Sequence, residues 1–246
     1  MNTLPKLVEK KSGSAIRTMF SAIAPRYDLL NHILSCNRDI AWREFAAKLV
    51  PPDVERVLDV CAGTGDLGLA LLHRLSGDTE SRNPSVVAID FALPMLAIAG
   101  EKAQQNEAQS LLVPLSGDAL QLPFPNETFD AVLCAFGVRN FESLGEGLRE
   151  MNRVLRSGGV AVILEFCAGP KSPLRAPADW FMRFLLPPLG RFISGHDFAY
   201  SYLSASSQSF LSPSQLEDSL RESSFGQVQW MNLTFGVATA FRAVKE

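Results

Sequence analysis

The chain has only four cysteines in 246 residues, and Cys36, Cys61, Cys134 and Cys167 form no C-x-x-C pair. None of its three histidines stands at metal-ligand spacing from them. No metal is expected, and the thiols read as reduced, small apolar side chains in a reducing compartment. Long apolar runs are missing too. The richest stretch, Val86 to Gly100, contains Asp90 and Pro94, and a bilayer span needs about 20 clean apolar residues. Met1 to Ser14 has charges but no apolar segment behind them, so no secretory signal is expected there. There is no basic excess: Lys and Arg number 23 against 26 Asp and Glu, with pI near 5.7. No nucleic-acid partner is expected from that balance. Repeats and low-complexity segments are also absent.

What is present is apolar material, at 47% of residues with a mean hydropathy of +0.09. That is ample for one folded unit over residues 1–246 and high for a soluble domain. Three- and four-residue apolar spacing predicts helices over Ala15–Ile23, Pro25–Leu34 and Arg38–Val50, a helical cap within residues 1–52 closed by Pro51-Pro52. Short, nearly all-apolar runs then alternate with helical patterns. The predicted strands are Arg56–Val60, Val86–Asp90, Leu111–Leu115, Phe129–Ala135 and Val160–Glu165. The helices between them are Leu67–Leu75, Pro94–Gln105 and Gly145–Leu155. Gln227–Leu233 and Val237–Val244 form an antiparallel hairpin around Thr234-Phe235-Gly236. The fold class is α/β, a doubly wound, Rossmann-like sheet of seven strands, mostly parallel, with helices on both faces. Residues 169–212 break the pattern and read as a helical insertion or cover, with His196 and Asp197 in a loop or cap role.

The sharpest local feature is Asp59-Val60-Cys61-Ala62-Gly63-Thr64-Gly65-Asp66. A buried strand ends in an acid, and a glycine turn then opens a helix. Gly63 and Gly65 let the backbone turn sharply and approach a ligand closely. With Gly68 the spacing also fits a dinucleotide fingerprint, so an oxidoreductase stays open, as does a purely structural turn. Asp59 and Asp66 would repel a pyrophosphate at that helix entrance. A cationic ligand without phosphate, S-adenosylmethionine (SAM), suits them better. Asp90 ends the second strand and is placed to accept ribose hydroxyls. Asp118, in Ser116-Gly117-Asp118-Ala119, ends the third and is placed for an adenine amino group, with a helix-cap role as its alternative.

These acids with Gly63 and Gly65 resemble the class I SAM-dependent methyltransferases. Longer segments narrow the likeness: Met19-Phe20-Ser21-Ala22-Ile23-Ala24-Pro25-Arg26-Tyr27-Asp28 with Asn31 and Ser35; Phe136-Gly137-Val138-Arg139-Asn140; Arg153 to Gly159 followed by Leu164-Glu165-Phe166; and Tyr200-x-Tyr202-Leu203. Together they resemble the ubiquinone/menaquinone biosynthesis C-methyltransferases over nearly the whole chain. The resemblance implies SAM contacts at Thr64, Asp90, Asp118 and Ala119, and at Ala135, where some members carry serine. Asn37 and Asp39 replace the glycine and histidine of many members, a variant resembling the menaquinone-making bacterial branch.

The reaction so implied is methylation of a ring carbon of a prenylated demethylquinol, with demethylmenaquinol preferred and a benzoquinol or another small acceptor as alternatives. Removing a ring hydroxyl proton activates the carbon. Arg139 is expected beside the resulting phenolate, or paired with an acid that anchors the loop after the fourth strand. Asp28, with a helix cap as its alternative, or Asp39 is expected as proton acceptor, and Tyr27 and Asn140 as ring-orienting groups. The apolar run Trp180–Ile193 offers a prenyl-tail channel or a membrane-contacting face. The expected setting is cytoplasmic, with peripheral contact at the inner membrane face; a homo-oligomer stays open. A non-catalytic scaffold is disfavoured by the intact loop acids and glycines.

Overall fold

Seven strands form one sheet: the apolar runs of its central strands are buried on both faces, whereas its two edge strands are largely exposed. The computed structural model describes residues 12–76, 78, 82, 84–168, 202, 205–207 and 209–246. In chain order the strands are β1 Arg56–Val60, β2 Ser85–Asp90, β3 Leu112–Ser116, β4 Phe129–Ala135, β5 Leu155–Glu165, β6 Phe225–Leu233 and β7 Ala238–Lys245. Their spatial order is β3-β2-β1-β4-β5-β7-β6. The first five run parallel, whereas β7 pairs antiparallel with both β5 and β6. The winding direction reverses between β1 and β4. Ligands of open α/β sheets bind beyond the carboxyl ends of the strands at such a switch point.

The helices are α1 Gly13–Ile23, α2 Tyr27–Ser35, α3 Arg38–Lys48, α4 Asp66–Ser76, α5 Leu93–Gln105, α6 Leu144–Val154 and α7 Pro213–Glu222. Strand alternation divides the core in two. Val57 packs on one face with Trp42, Leu71 and Val162. Leu58 and Val60 pack on the other with Leu148, Met151 and Phe241. A third cluster joins the cap to α5 through Met19, Ile23, Leu30 and Leu34 against Ala92 and Met95. The cap is thereby seated over the carboxyl ends of β1 and β2.

The predicted strands and cap helices are present, with three differences. The segment predicted as one helix over Pro25–Leu34 begins with a separate 3-10 turn, Ala24–Arg26, because Pro25 cannot donate to the turn before it. Strand β5 starts at Leu155 rather than Val160: Gly158, at φ 75°, makes an irregularity within the strand instead of a turn before it. Helix α7 was not anticipated, although Ser212 and Gln215 form a full capping box at its start. Of the expected 169–212 cover, only Tyr202, 205–207 and 209–212 are among the described residues. Trp180–Ile193, His196, Asp197, Tyr200 and Leu203 lie outside them.

Candidate active site

The glycine loop adopts its shape because glycine stands where φ is positive: 55° at Gly63 and 81° at Gly65. A Cβ on Gly63 would meet open space, whereas one on Gly65 would lie 3.1 Å from the Ala99 Cβ of α5. Gly63 therefore offers its bare backbone to a ligand, and Gly65 lets α5 approach the loop. Gly68 serves packing, since a Cβ there would press on Leu112 and Val86 at 3.1 Å.

Three acids mark the ends of β1, β2 and β3. Asp59 is 1% exposed; its Oδ2 accepts from the Gly68 N–H at 3.0 Å, and its Oδ1 has no partner among the described residues. Burial pushes its carboxyl up to about 7 despite that bond. Asp90 accepts from the Gly63 N–H at 2.9 Å through one oxygen and from the Ala92 N–H at 2.8 Å through the other. Burial raises its pKa as well, with the backbone bonds opposing. Asp118 is exposed at the rim and accepts from the Leu120 N–H at 2.9 Å.

A cavity of about 590 Å³ opens between these strand ends and the cap, and Gly63, Asp90, Asp118, Ala119 and Ala135 line it. From the cap, Arg17, Phe20 and Tyr27 face it, and Phe136 and Asn140 close it from the β4 side. Gly117 and Gly137, which also line it, had no assigned role. A Cβ on Gly117 would lie 2.5 Å from Ile89 Cδ1, and one on Gly137 2.6 Å from the Cys61 Cβ. Both glycines are required by close approach beneath the cavity floor.

Seven of the thirteen sequence-predicted site residues line this space: Tyr27, Gly63, Asp90, Asp118, Ala119, Ala135 and Asn140. Asp59, Thr64 and Gly65 stand in or under the loop that borders it. Asp28, Asp39 and Arg139 stand behind it, each held by specific partners. Thr64 Oγ1 donates to Asp28 Oδ1 at 2.7 Å, and Lys102 Nζ donates to Asp28 Oδ2 at 2.7 Å. Asp39 is 3% exposed and binds Arg43 Nη1 at 2.5 Å, Ser35 Oγ at 2.6 Å and His32 Nδ1 at 2.9 Å. Burial alone would raise its pKa; the Ser35 hydroxyl and the Arg43 guanidinium outweigh it and hold the carboxyl below its ordinary range.

Arg139 is 3% exposed and pairs with the fully buried Glu165 at 2.6 Å. The same Nη1 donates to the Phe136 carbonyl at 2.6 Å, and Arg139 Nε has no partner among the described residues. Phe136 has φ 58°, a strained conformation for a bulky residue. The guanidinium on its carbonyl and ring stacking on Phe166, centroids 4.4 Å apart, hold it there. Glu165 is a partner that residue types alone do not single out; its signal in the sequence is an acid ending an otherwise apolar run. Tyr27 lies within the fields of Arg139 and Arg43; burial raises its phenol pKa while both guanidinium groups oppose that rise.

Orphaned Asp59 Oδ1, raised acids and an open glycine backbone fit a cationic, carboxylate-bearing ligand such as SAM better than a pyrophosphate. A family model described as the ubiE/COQ5 methyltransferase family matches residues 6–245.

The chain belongs to that family. It is 46% identical over 222 residues to a demethylmenaquinone methyltransferase of Thermus thermophilus, covering 89% of this chain and 96% of that protein. A demethylmenaquinone methyltransferase of Deinococcus radiodurans is 40% identical, with 94% and 92% covered. The ubiquinone/menaquinone biosynthesis C-methyltransferase UbiE of Geobacter sulfurreducens is 37% identical, with 99% and 92% covered. A solved SAM-dependent methyltransferase from Thermotoga maritima shares the fold, with TM-score 0.63 and 17% identity over 93% of this chain and 99% of that one. As a ubiE/COQ5 methyltransferase, the protein is a SAM-dependent enzyme, and the dinucleotide reading of Gly63, Gly65 and Gly68 falls away.

Proposed function

We propose that the protein methylates a ring carbon of a prenylated demethylmenaquinol. The observation that carries this reading is the 46% identity to the Thermus thermophilus demethylmenaquinone methyltransferase over nearly its full length. SAM, when bound, supplies an electrophilic methyl group on a sulfonium. On this chain Asp90 offers the ribose an acceptor pre-set by two backbone N–H bonds, and Asp118 with Ala119 borders the adenine. Asp59 Oδ1 is the buried acceptor left for the donor's ammonium, directly or through water. Thr64, Gly63 and Gly65 shape the loop around the donor's carboxylate, with Ala135 beneath.

The acceptor ring belongs between Tyr27, Phe136 and Asn140, which face the donor cavity from the cap and from β4. Asn140 Oδ1 accepts from the Tyr202 hydroxyl at 3.1 Å, which fixes the amide's orientation. The Tyr27 hydroxyl and the Asn140 amide orient the ring, and the field of Arg139 favours the phenolate over the phenol. The orphaned Arg139 Nε is a further donor on that side. Asp39, with every oxygen engaged by cations or hydroxyls, suits a structural role better than that of a proton acceptor. Holding donor methyl and ring carbon in line is the main catalytic task, and a dry pocket assists as the sulfonium loses charge.

A prenylated substrate stays in the bilayer, so we infer peripheral contact at the inner membrane face. No described helix is long and apolar enough to cross a membrane. The test is incubation with methyl-labelled SAM and matched demethylmenaquinol and demethylubiquinol precursors. Label in the naphthoquinol supports the reading; label confined to the benzoquinol, or in neither, overturns it. Co-flotation with vesicles tests the membrane contact separately.

A further inference from the structure

We propose that Lys102 is a positioning residue for the methyl donor, because its ammonium ties the cap helix α2 to the glycine loop. Lys102 lies on α5 three residues after Ala99, the side chain facing Gly65, so both occupy the helix face that packs on the loop. From there its Nζ bonds Asp28 Oδ2 of the cap at 2.7 Å and also Asp66 Oδ1 at the start of α4. Asp28 in turn accepts from Thr64 Oγ1, within the loop itself, at 2.7 Å. Asp66 Oδ2 lies 3.7 Å from Arg43 Nη2, which carries the chain of charges on to Asp39.

Lys102 is thus the cation shared by two carboxylates from different parts of the fold. Without it, two like charges would face each other where the cap meets the loop. Asp28 lies between two residues that matter to the cavity: Tyr27, just before it, lines the cavity, and Leu30, two residues after it, buries the cap against α5. Anchoring Asp28 therefore sets Tyr27 and Thr64 together. The three charged side chains are each 22–23% exposed, so the link is reached by salt.

The inference rests on the donor cavity and not on the identity of the acceptor, so SAM alone tests it. In calorimetric titration, Lys102→Met should weaken SAM binding about tenfold, the loss of roughly one charge-assisted bond. Lys102→Arg, whose fork spans two carboxylates, should recover most of that affinity. Raising the salt should weaken SAM binding to the native protein more than to Lys102→Met. In a double-mutant cycle, Asp28→Asn and Lys102→Met should be strongly non-additive. Native SAM affinity in Lys102→Met, with only its melting temperature lowered, would overturn the proposal. So would additive effects of the two substitutions, or an arginine variant no better than the methionine one. Should Lys102→Met fail to fold, Asp28→Asn with Lys102→Arg carries the same test.

Discussion

The floor of the proposed donor cavity and the cap above it both bury aspartates, and they treat them oppositely. In the floor, Asp59 keeps one oxygen without a partner among the described residues, and burial pushes its pKa up to about 7. In the cap, Asp39 is nearly as buried but is surrounded by Arg43, Ser35 and His32, and its pKa falls. An acid saturated by its own chain has been spent on holding helices together. An acid left short of partners has capacity for a ligand, and its unfavourable burial is relieved when a cation arrives. The contrast separates scaffold from site more sharply than burial does.

The largest effect should come from breaking the saturated side. Asp39→Ala leaves Arg43 buried without its main partner and should destabilise the fold by about 3 kcal/mol or more, measured by urea unfolding. Asp39 also makes the fold acid-sensitive in a definite sense. Its folded pKa lies below the unfolded value of about 3.9, so its stabilisation is complete above that pH and is lost as pH falls through the folded pKa. Asp39→Ala should flatten that part of the stability curve.

On the floor, Asp90→Ala removes the acceptor for Gly63 and Ala92 as well as the proposed ribose contact. SAM affinity should fall by about two orders of magnitude, roughly 3 kcal/mol, in calorimetric titration. Unfolding free energy should change less than in Asp39→Ala; the reverse ranking would dissolve the contrast between the two regions.

Asp59 predicts a pH dependence of the opposite sign to that of Asp39. Its folded pKa is raised, so without SAM the fold is most stable below the unfolded value and loses that contribution as pH rises towards 7. A cationic ligand favours the ionised form, so SAM affinity should drop as pH falls below about 7, by up to tenfold per unit. Asp59→Asn should abolish this dependence; a pH profile equal to the native one would remove Asp59 from the donor site. The smallest effect belongs to Thr64→Val, which removes one hydrogen bond between loop and cap and should weaken SAM binding by about 1 kcal/mol.

Much of this was legible along the chain. The strands declared themselves by apolar runs of the right length, and the cap helices by three- and four-residue spacing. The sharp turn at Gly63 and Gly65 was legible because a positive φ is a local demand that glycine alone meets cheaply. Helix α7 was missed although Ser212 and Gln215 announced it, because the irregular stretch before it drew the boundary. Gly117 and Gly137 were passed over: the atoms that exclude a Cβ there belong to Ile89 and Cys61, distant in sequence. Arg139 was expected at the reacting ring, and its anchorage by Glu165 requires knowing that β4 and β5 are neighbours with their ends aligned.

By itself the sequence determined the α/β class, the order of elements, the glycine turn and the three strand-end acids, since periodicity, backbone conformation and strand termination act over a few residues. Only the tertiary structure decided which charges are partnered: that Asp28 meets Thr64 and Lys102, that Asp39 is consumed by Arg43, and that Asp59 keeps an oxygen free. The reason is physical. A carboxylate's chemistry depends on what lies within about 4 Å of it, and in this fold those neighbours come from helices and strands far apart in the chain.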